Sequence, residues 1–298
     1  MRLQRALAQK SFAITAEVTP PRGGDASRSL EAAAALAGLV HAVNVTDGSR
    51  AVMRMSSLAL CRLLLEAGIE PVLQMTCRDR NRIALQADLL GAHALGIPNV
   101  LCLTGDPVRA GDQPGSRSVN ELESVRLLQL VERCNAGLDP VKGQLPDGPT
   151  ALFPGAAADP QSPSWSGLVS RVRRKHAAGA RFIQTQMVMD ATALRRFVEE
   201  LTAPLGLPVL AGVFLLKSAR NARFINRVVP GACIPEALIE RLEGSADPAA
   251  EGVAIAAEQV AAYRDIAQGV HLMAIKAEER IPAILSLAGC AQVPVDSP

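Results

Sequence analysis

Residues 71–106 read PVLQMTCRDRNRIALQADLLGAHALGIPNVLCLTGD. A short apolar run, Pro71–Thr76, is followed by an amphipathic stretch, Arg80–Gly96, and then by a second apolar run, Val100–Thr104. Strand, helix and strand in that order, with Gly96 as the helix stop, describe one parallel β-α-β unit. Working outward, the same alternation recurs on both sides. Phe12–Val18 and Val40–Thr46 precede it, and Ala151–Ala157, Arg181–Gln186, Pro208–Val213 and Val270–Ile275 follow. Helical patterns fill the gaps, such as Ser27–Leu39, Met53–Gly68, Glu121–Gly137 and Ala191–Gly206, with two or three more between Lys217 and Gly269. Eight such units predict a single α/β domain over residues 1–298, a (β/α)8 TIM barrel. No GxGxxG follows the first strand, which disfavours an open dinucleotide-binding sheet. The Gly/Pro-rich stretch Gly137–Gly155 reads as a loop entering the fifth strand, whose Pro154 weakens it.

Composition narrows the function. The chain has 298 residues, is 49% hydrophobic and 20% charged, and carries a net charge of +2. A large core is available, and no bulk field advertises a polyanion such as nucleic acid. Six Phe, one Trp and one Tyr are too few for stacking platforms along a single strand. No apolar run reaches membrane-spanning length, and the first residues lack the apolar stretch of a signal peptide. Six widely spaced cysteines without a CxxC pair, and four scattered histidines, give neither a disulfide framework nor a metal site. The expectation is a cytoplasmic small-molecule enzyme with no metal.

In a barrel, chemistry gathers at the C-terminal strand ends. Polar residues fall there on five strands: Glu17; Thr46 and Asp47; Gln74, Thr76 and Cys77; Thr104, Gly105 and Asp106; Gln184 and Gln186. Glu17 sits among apolar residues before the Pro20-Pro21 corner, where partial desolvation would raise its pKa and suit a general acid. It reads equally well as a partner of Arg22. Asp106 follows a glycine that lets backbone approach a ligand, and it could steady a cation or cap a turn. Strand alternation puts Gln184 and Gln186 on one side and Thr185 on the other. An amide both donates and accepts, which matches a pterin or nucleobase edge or a polar barrel interior. The basic run Arg171–Lys175 reads as a solvated helix face or a phosphate site. Cys77 lacks a rim histidine to activate it, and the histidines read as structural or surface groups.

On these residues the chain resembles the methylenetetrahydrofolate reductase family. The matching stretches are 16–22 (AEVTPPR), 42–61, 73–106 ending in LTGD, 155–160 (GAAADP), 179–190 with FIQTQ, 212–231 and 269–275 (GVHLMAI). The wording is most like the branch of acetogenic bacteria, whose members can work with a small partner subunit. The resemblance implies a flavin-dependent barrel that reduces 5,10-methylenetetrahydrofolate to 5-methyltetrahydrofolate in one-carbon and methionine metabolism. It implies FAD as cofactor, NAD(P)H or a partner as electron donor, and a homo-oligomer or a small partner subunit. Glu17 then matches the acid that opens the folate ring, Asp106 the carboxylate beside flavin and pterin, and Gln186, with Gln184, the folate-binding amides. Thr46, Asp47, Ser49, Gln74, Thr104, Gly105 and Asp106 match positions around the flavin, and Arg171, Arg174 and Lys175 a helix holding its phosphates. Asn120 and Asp159 stand in cofactor-contacting segments where many relatives carry Tyr or a YPE-then-His pattern, and Ala219 stands where they stack an aromatic ring. Two other readings share the barrel: a flavin-free folate reductase using NAD(P)H directly, and a folate-dependent methyltransferase or complex subunit.

Overall fold

In the computed structural model, which describes residues 2–139, 141–229 and 231–293, eight parallel strands close on themselves. They are β1 (Ala13–Val18), β2 (Ala42–Val45), β3 (Pro71–Thr76), β4 (Asn99–Leu103), β5 (Phe153–Ala158), β6 (Phe182–Met187), β7 (Val209–Phe214) and β8 (Gly269–Met273). Each pairs with its sequence neighbour, and β1 joins β8 through Ala13↔Gly269 and Ala16↔Leu272, so no edge is left open. The helices between them are α1 (Arg2–Ala8), α2 (Ser27–Ala34), α3 (Ser57–Glu66), α4 (Arg82–Ala94), α5 (Ser124–Asn135), α6 (Trp165–Ala177) and α7 (Ala191–Phe197). Then come α8 (Ala219–Val228), α9 (Glu236–Gly244), α10 (Pro248–Arg264) and α11 (Ile281–Leu287). The expected barrel and all eight strands are present, with ends shifted by one or two residues.

Two cores follow from strand alternation. Outward residues such as Ile14, Val43, Leu73, Val100, Ile183 and Val270 pack against the helices. Inward residues Ala13, Ala42, Val72, Leu101, Phe182 and Leu210 fill the foot of the barrel together with Leu3, Ala6 and Leu7 of α1. Helix α1 thus plugs the N-terminal end. Its first amides, Arg2 and Leu3, donate to the Glu70 carboxylate, which also accepts from Asn99 Nδ2. A carboxylate there satisfies orphan N–H groups and suits the helix dipole.

Three local departures from the sequence pattern have physical causes. Pro154 does sit inside β5. Its carbonyl accepts from Arg181 N, just before β6 begins at Phe182, so the N–H it lacks would face chain that is not yet strand. Within the expected loop, Leu138–Asp139 pairs with Gly143–Gln144 as a small hairpin. The alternation expected over Gln184–Gln186 is interrupted, because Gln184 pairs with Leu210 but Met187 with Gly212. The extra residue is a β-bulge, and Gly212 N donates to Thr185 Oγ1 across it at 2.8 Å. Gln184 stays buried while Gln186 emerges at the rim.

Candidate active site

The C-terminal strand ends carry a layer of buried polar side chains above the apolar foot. Thr15, Asn44, Thr46, Gln74, Gln184 and His271 are each at least nine-tenths buried. Glu17, one inward step above Thr15, is the layer's charged member, with 14% of its side chain exposed. Its Oε2 lies 3.7 Å from His271 Nε2. His271 Nδ1 in turn lies 3.0 Å from Thr15 Oγ1 and 3.5 Å from Asn44 Nδ2. Glu17 is therefore backed by an imidazole, and Arg22, its alternative partner in sequence, pairs with Asp112 instead. Four buried atoms in this layer take no hydrogen bond from the protein: Asn44 Oδ1, Thr46 Oγ1, Gln184 Oε1 and His271 Nε2. Buried polar groups without partners are uncommon, and these four lie in the polar layer inside the barrel, beneath the strand ends.

The loops after β2, β3 and β4 are tied by charge. Asp47 is buried and accepts from Thr76 N at 2.8 Å, Thr76 Oγ1 at 2.9 Å and Arg80 Nη1 at 2.7 Å. Arg80 reaches on to Asp88. Asp47 thus organises the β3 loop. Gly105 has φ +94°, and a Cβ there would press on Thr76 and Arg78, which explains the glycine before Asp106. Asp106 Oδ2 accepts from Arg50 N at 2.7 Å. Thr104 Oγ1 accepts from Ser124 N at the start of α5. Ser49 is exposed beside Arg50, and Asn120 is exposed with φ +43° in the long loop after β4.

On the β5–β6 side, Lys175 Nζ donates to Ala157 O at 2.6 Å, and Arg171 Nη2 to Ser162 Oγ at 2.9 Å. Arg174 lies 3.7 Å from Glu123. Burial, with Arg171 nearby, pushes the Lys175 amine below its ordinary pKa. An anion brought to this corner would relieve that cost. Burial likewise pushes the Asp159 carboxyl up; its Oδ1 accepts from Gln161 N at 2.9 Å. Gln161 Oε1 accepts from Met189 N and Asp190 N, joining the β5 and β6 loops, while its buried Nε2 has no partner. Cys77 is buried, and desolvation pushes its thiol up to about 12, so it is no nucleophile near neutral pH. No cluster of His, Cys, Asp or Glu able to hold a metal occurs among the described residues.

Glu17, Thr46, Gln74, Asp106, Gln184 and Gln186, expected together on one rim, divide between a buried layer with Thr46, Gln74 and Gln184 and the exposed Asp106 and Gln186, with Glu17 between them. The sequence reading missed His271, taken as structural or surface, and it missed Arg78 and Arg80 of the RDR run. The signal for those arginines was available, since charges straight after a strand end lie on the catalytic face. Nothing local to GVHLMAI distinguishes His271 from a core histidine.

The sequence model of one family, methylenetetrahydrofolate reductase, matches residues 2–289. A Caenorhabditis elegans protein described as a probable methylenetetrahydrofolate reductase (NADPH) is 24% identical over 190 residues. That match takes in 63% of this chain and 26% of the relative, about a quarter of its length. Among solved structures, an uncharacterized Clostridium thermocellum protein that binds two copies of 5-methyl-5,6,7,8-tetrahydrofolic acid superposes with a TM-score of 0.68 at 13% identity. The superposition covers 97% of this chain and 99% of that one. Tryptophan synthase from M. tuberculosis superposes at 0.53 with 16% identity, over 97% and 98% of the two chains. At such identities these likenesses speak to the barrel alone.

Proposed function

The chain belongs to the methylenetetrahydrofolate reductase family, and on that premise we propose that it reduces 5,10-methylenetetrahydrofolate to 5-methyltetrahydrofolate. FAD is the resident cofactor in this reading, and NAD(P)H or a partner subunit supplies the electrons. The observation that carries it is Glu17, with 14% of its side chain exposed, standing above a buried polar layer with His271 behind it.

The residues present suit a flavin. Lys175, Arg171 and Arg174 form a cationic corner for a diphosphate, and the Lys175 amine has only a carbonyl for a partner. When bound, the flavin supplies hydride to the one-carbon unit.

The chain's own residues do the rest. Glu17 donates a proton to N10 of the folate. The bond from N10 to the methylene carbon breaks with its electron pair remaining on N10, and the carbon becomes an iminium on N5. Asp106, a fixed anion at the rim, offsets that cation. Gln186 donates to and accepts from the pterin edge. His271 stands behind Glu17 at 3.7 Å. One proton and one hydride are consumed for each methyl group formed.

Glu17→Gln tests the reading. Folate turnover should fall roughly 10²–10⁴-fold, the usual worth of a general acid, while reduction of the cofactor by its donor is unchanged. Equal loss of both half-reactions would overturn the role of Glu17. Purified protein should show a visible flavin absorption band after reconstitution with FAD; without it, direct hydride transfer from a nicotinamide takes its place.

A further inference from the structure

Three of the four residues Gly48–Ala51 have positive φ: Gly48 at 54°, Arg50 at 57° and Ala51 at 55°. For Arg and Ala this left-handed backbone is strained, and it persists only where surroundings hold it. Two neighbours do so. Gly111, in the loop after β4, sits so close that a Cβ on it would lie 1.9 Å from Ala51 O. The Arg78 guanidinium, with 5% of its side chain exposed, donates to Gly48 O at 3.1 Å and to Asp106 O at 3.5 Å. Arg78 is itself fixed by a two-pronged pair with Asp79, Nε to Oδ1 at 2.8 Å and Nη2 to Oδ2 at 2.6 Å. The product of this clamping is one directed group: the Arg50 N–H, which donates to Asp106 Oδ2 at 2.7 Å.

We propose that the Gly48–Ala51 turn, seated on Gly111 and stapled by Arg78, is the positioning element for Asp106, setting the direction of its carboxylate toward substrate. This rests on the reading of Asp106 as the anion facing the folate cation. Asp106 lies exposed at a strand end, where an unrestrained carboxylate rotates freely. The Arg50 amide is the donor that holds it, and among the described residues no side chain shares that task. Arg78 adds the second constraint, because it grips the main chains of both the β2 turn and Asp106. A strained turn spent on one hydrogen bond to one carboxylate is what preorganisation of a charged group requires.

Gly111→Ala tests this, because its methyl must drive Ala51 and the Arg50 amide away. Gly115→Ala in the same loop is the control, since a Cβ there meets open space. The readouts are kcat and KM for methylenetetrahydrofolate, the affinity for 5-methyltetrahydrofolate, and thermal stability, each in wild-type and Asp106→Asn backgrounds. Misplacing a reacting group by an ångström costs roughly 10²-fold. Gly111→Ala should therefore lower kcat by about that factor with Asp106 present and change little further in Asp106→Asn, as coupled residues do. Gly115→Ala should match wild type. If Gly111→Ala does not fold, Arg78→Lys, which keeps the charge but loses the fork, should give the same non-additive loss. Equal losses in both backgrounds, or no loss, would overturn the proposal. An Asp106→Asn protein that turns over and binds folate like wild type would instead overturn the role of Asp106 itself.

Discussion

His271 stands where a strand-end acid meets the barrel's buried polar layer. His271 Nδ1 lies 3.0 Å from Thr15 Oγ1 and 3.5 Å from Asn44 Nδ2, and its Nε2 lies 3.7 Å from Glu17 Oε2. In the proposed reaction the imidazole packs behind the carboxyl and limits its rotation without entering the chemistry. His271→Gln should lower kcat for folate by up to roughly 10²-fold while KM changes little; steady-state kinetics separate the two. A loss carried by KM alone would make His271 a binding group. At this scale the sequence was partly legible. Glu17 and Asp106 betrayed themselves as charges at the ends of apolar runs. His271 did not, because its significance lies in Thr15, Asn44 and Glu17, residues at least 227 positions away.

Elements were easier to read than their irregularities. Period and glycine stops gave β3, α4 and β4 nearly to the residue. The bulge in β6 left no mark in FIQTQM, since it is decided by the fit of Thr185 to Gly212 on the next strand. Helix α1 was not legible, because its apolar face matters through the foot of a barrel that does not exist locally. Long-range ties of this kind also fix the β6 loop. Tyr263 of α10 donates to Val188 O at 2.7 Å in a buried contact. Tyr263→Phe removes the donor and strands that carbonyl, which should cost about 1–3 kcal/mol. Urea unfolding would show it as a lower midpoint with an unchanged slope.

Over the whole molecule, the two ends of the barrel answer to different demands. The mouth carries strained backbone, and a layer with buried, unpartnered polar atoms lies beneath it. The foot is packed and hydrogen-bonded, and its one histidine beside β1 sets a limit in acid. His41 Nδ1 accepts from Ile14 N at 3.0 Å, and burial pushes its pKa below the ordinary 6.5. The unfolded chain therefore takes up a proton that the folded chain resists. The contribution is fully present above about pH 6.5 and is lost as pH falls from there through the lower value of the folded state. Thermal melts from pH 7.5 to 5 should show Tm falling for the wild type, and less steeply for His41→Gln. Closure, strand order and the gathering of polar residues at the C-terminal strand ends were visible in the alternation of the sequence; the packed foot was not.

The α1 plug has one more consequence. A cylinder stoppered at one end is a cup with a single lip. Any guest bound against the polar floor leaves by the route it entered, and a second guest needing that floor must wait for the departure. In the proposed chemistry, electron donor and folate become successive tenants of one berth, and crowding by either should delay the other.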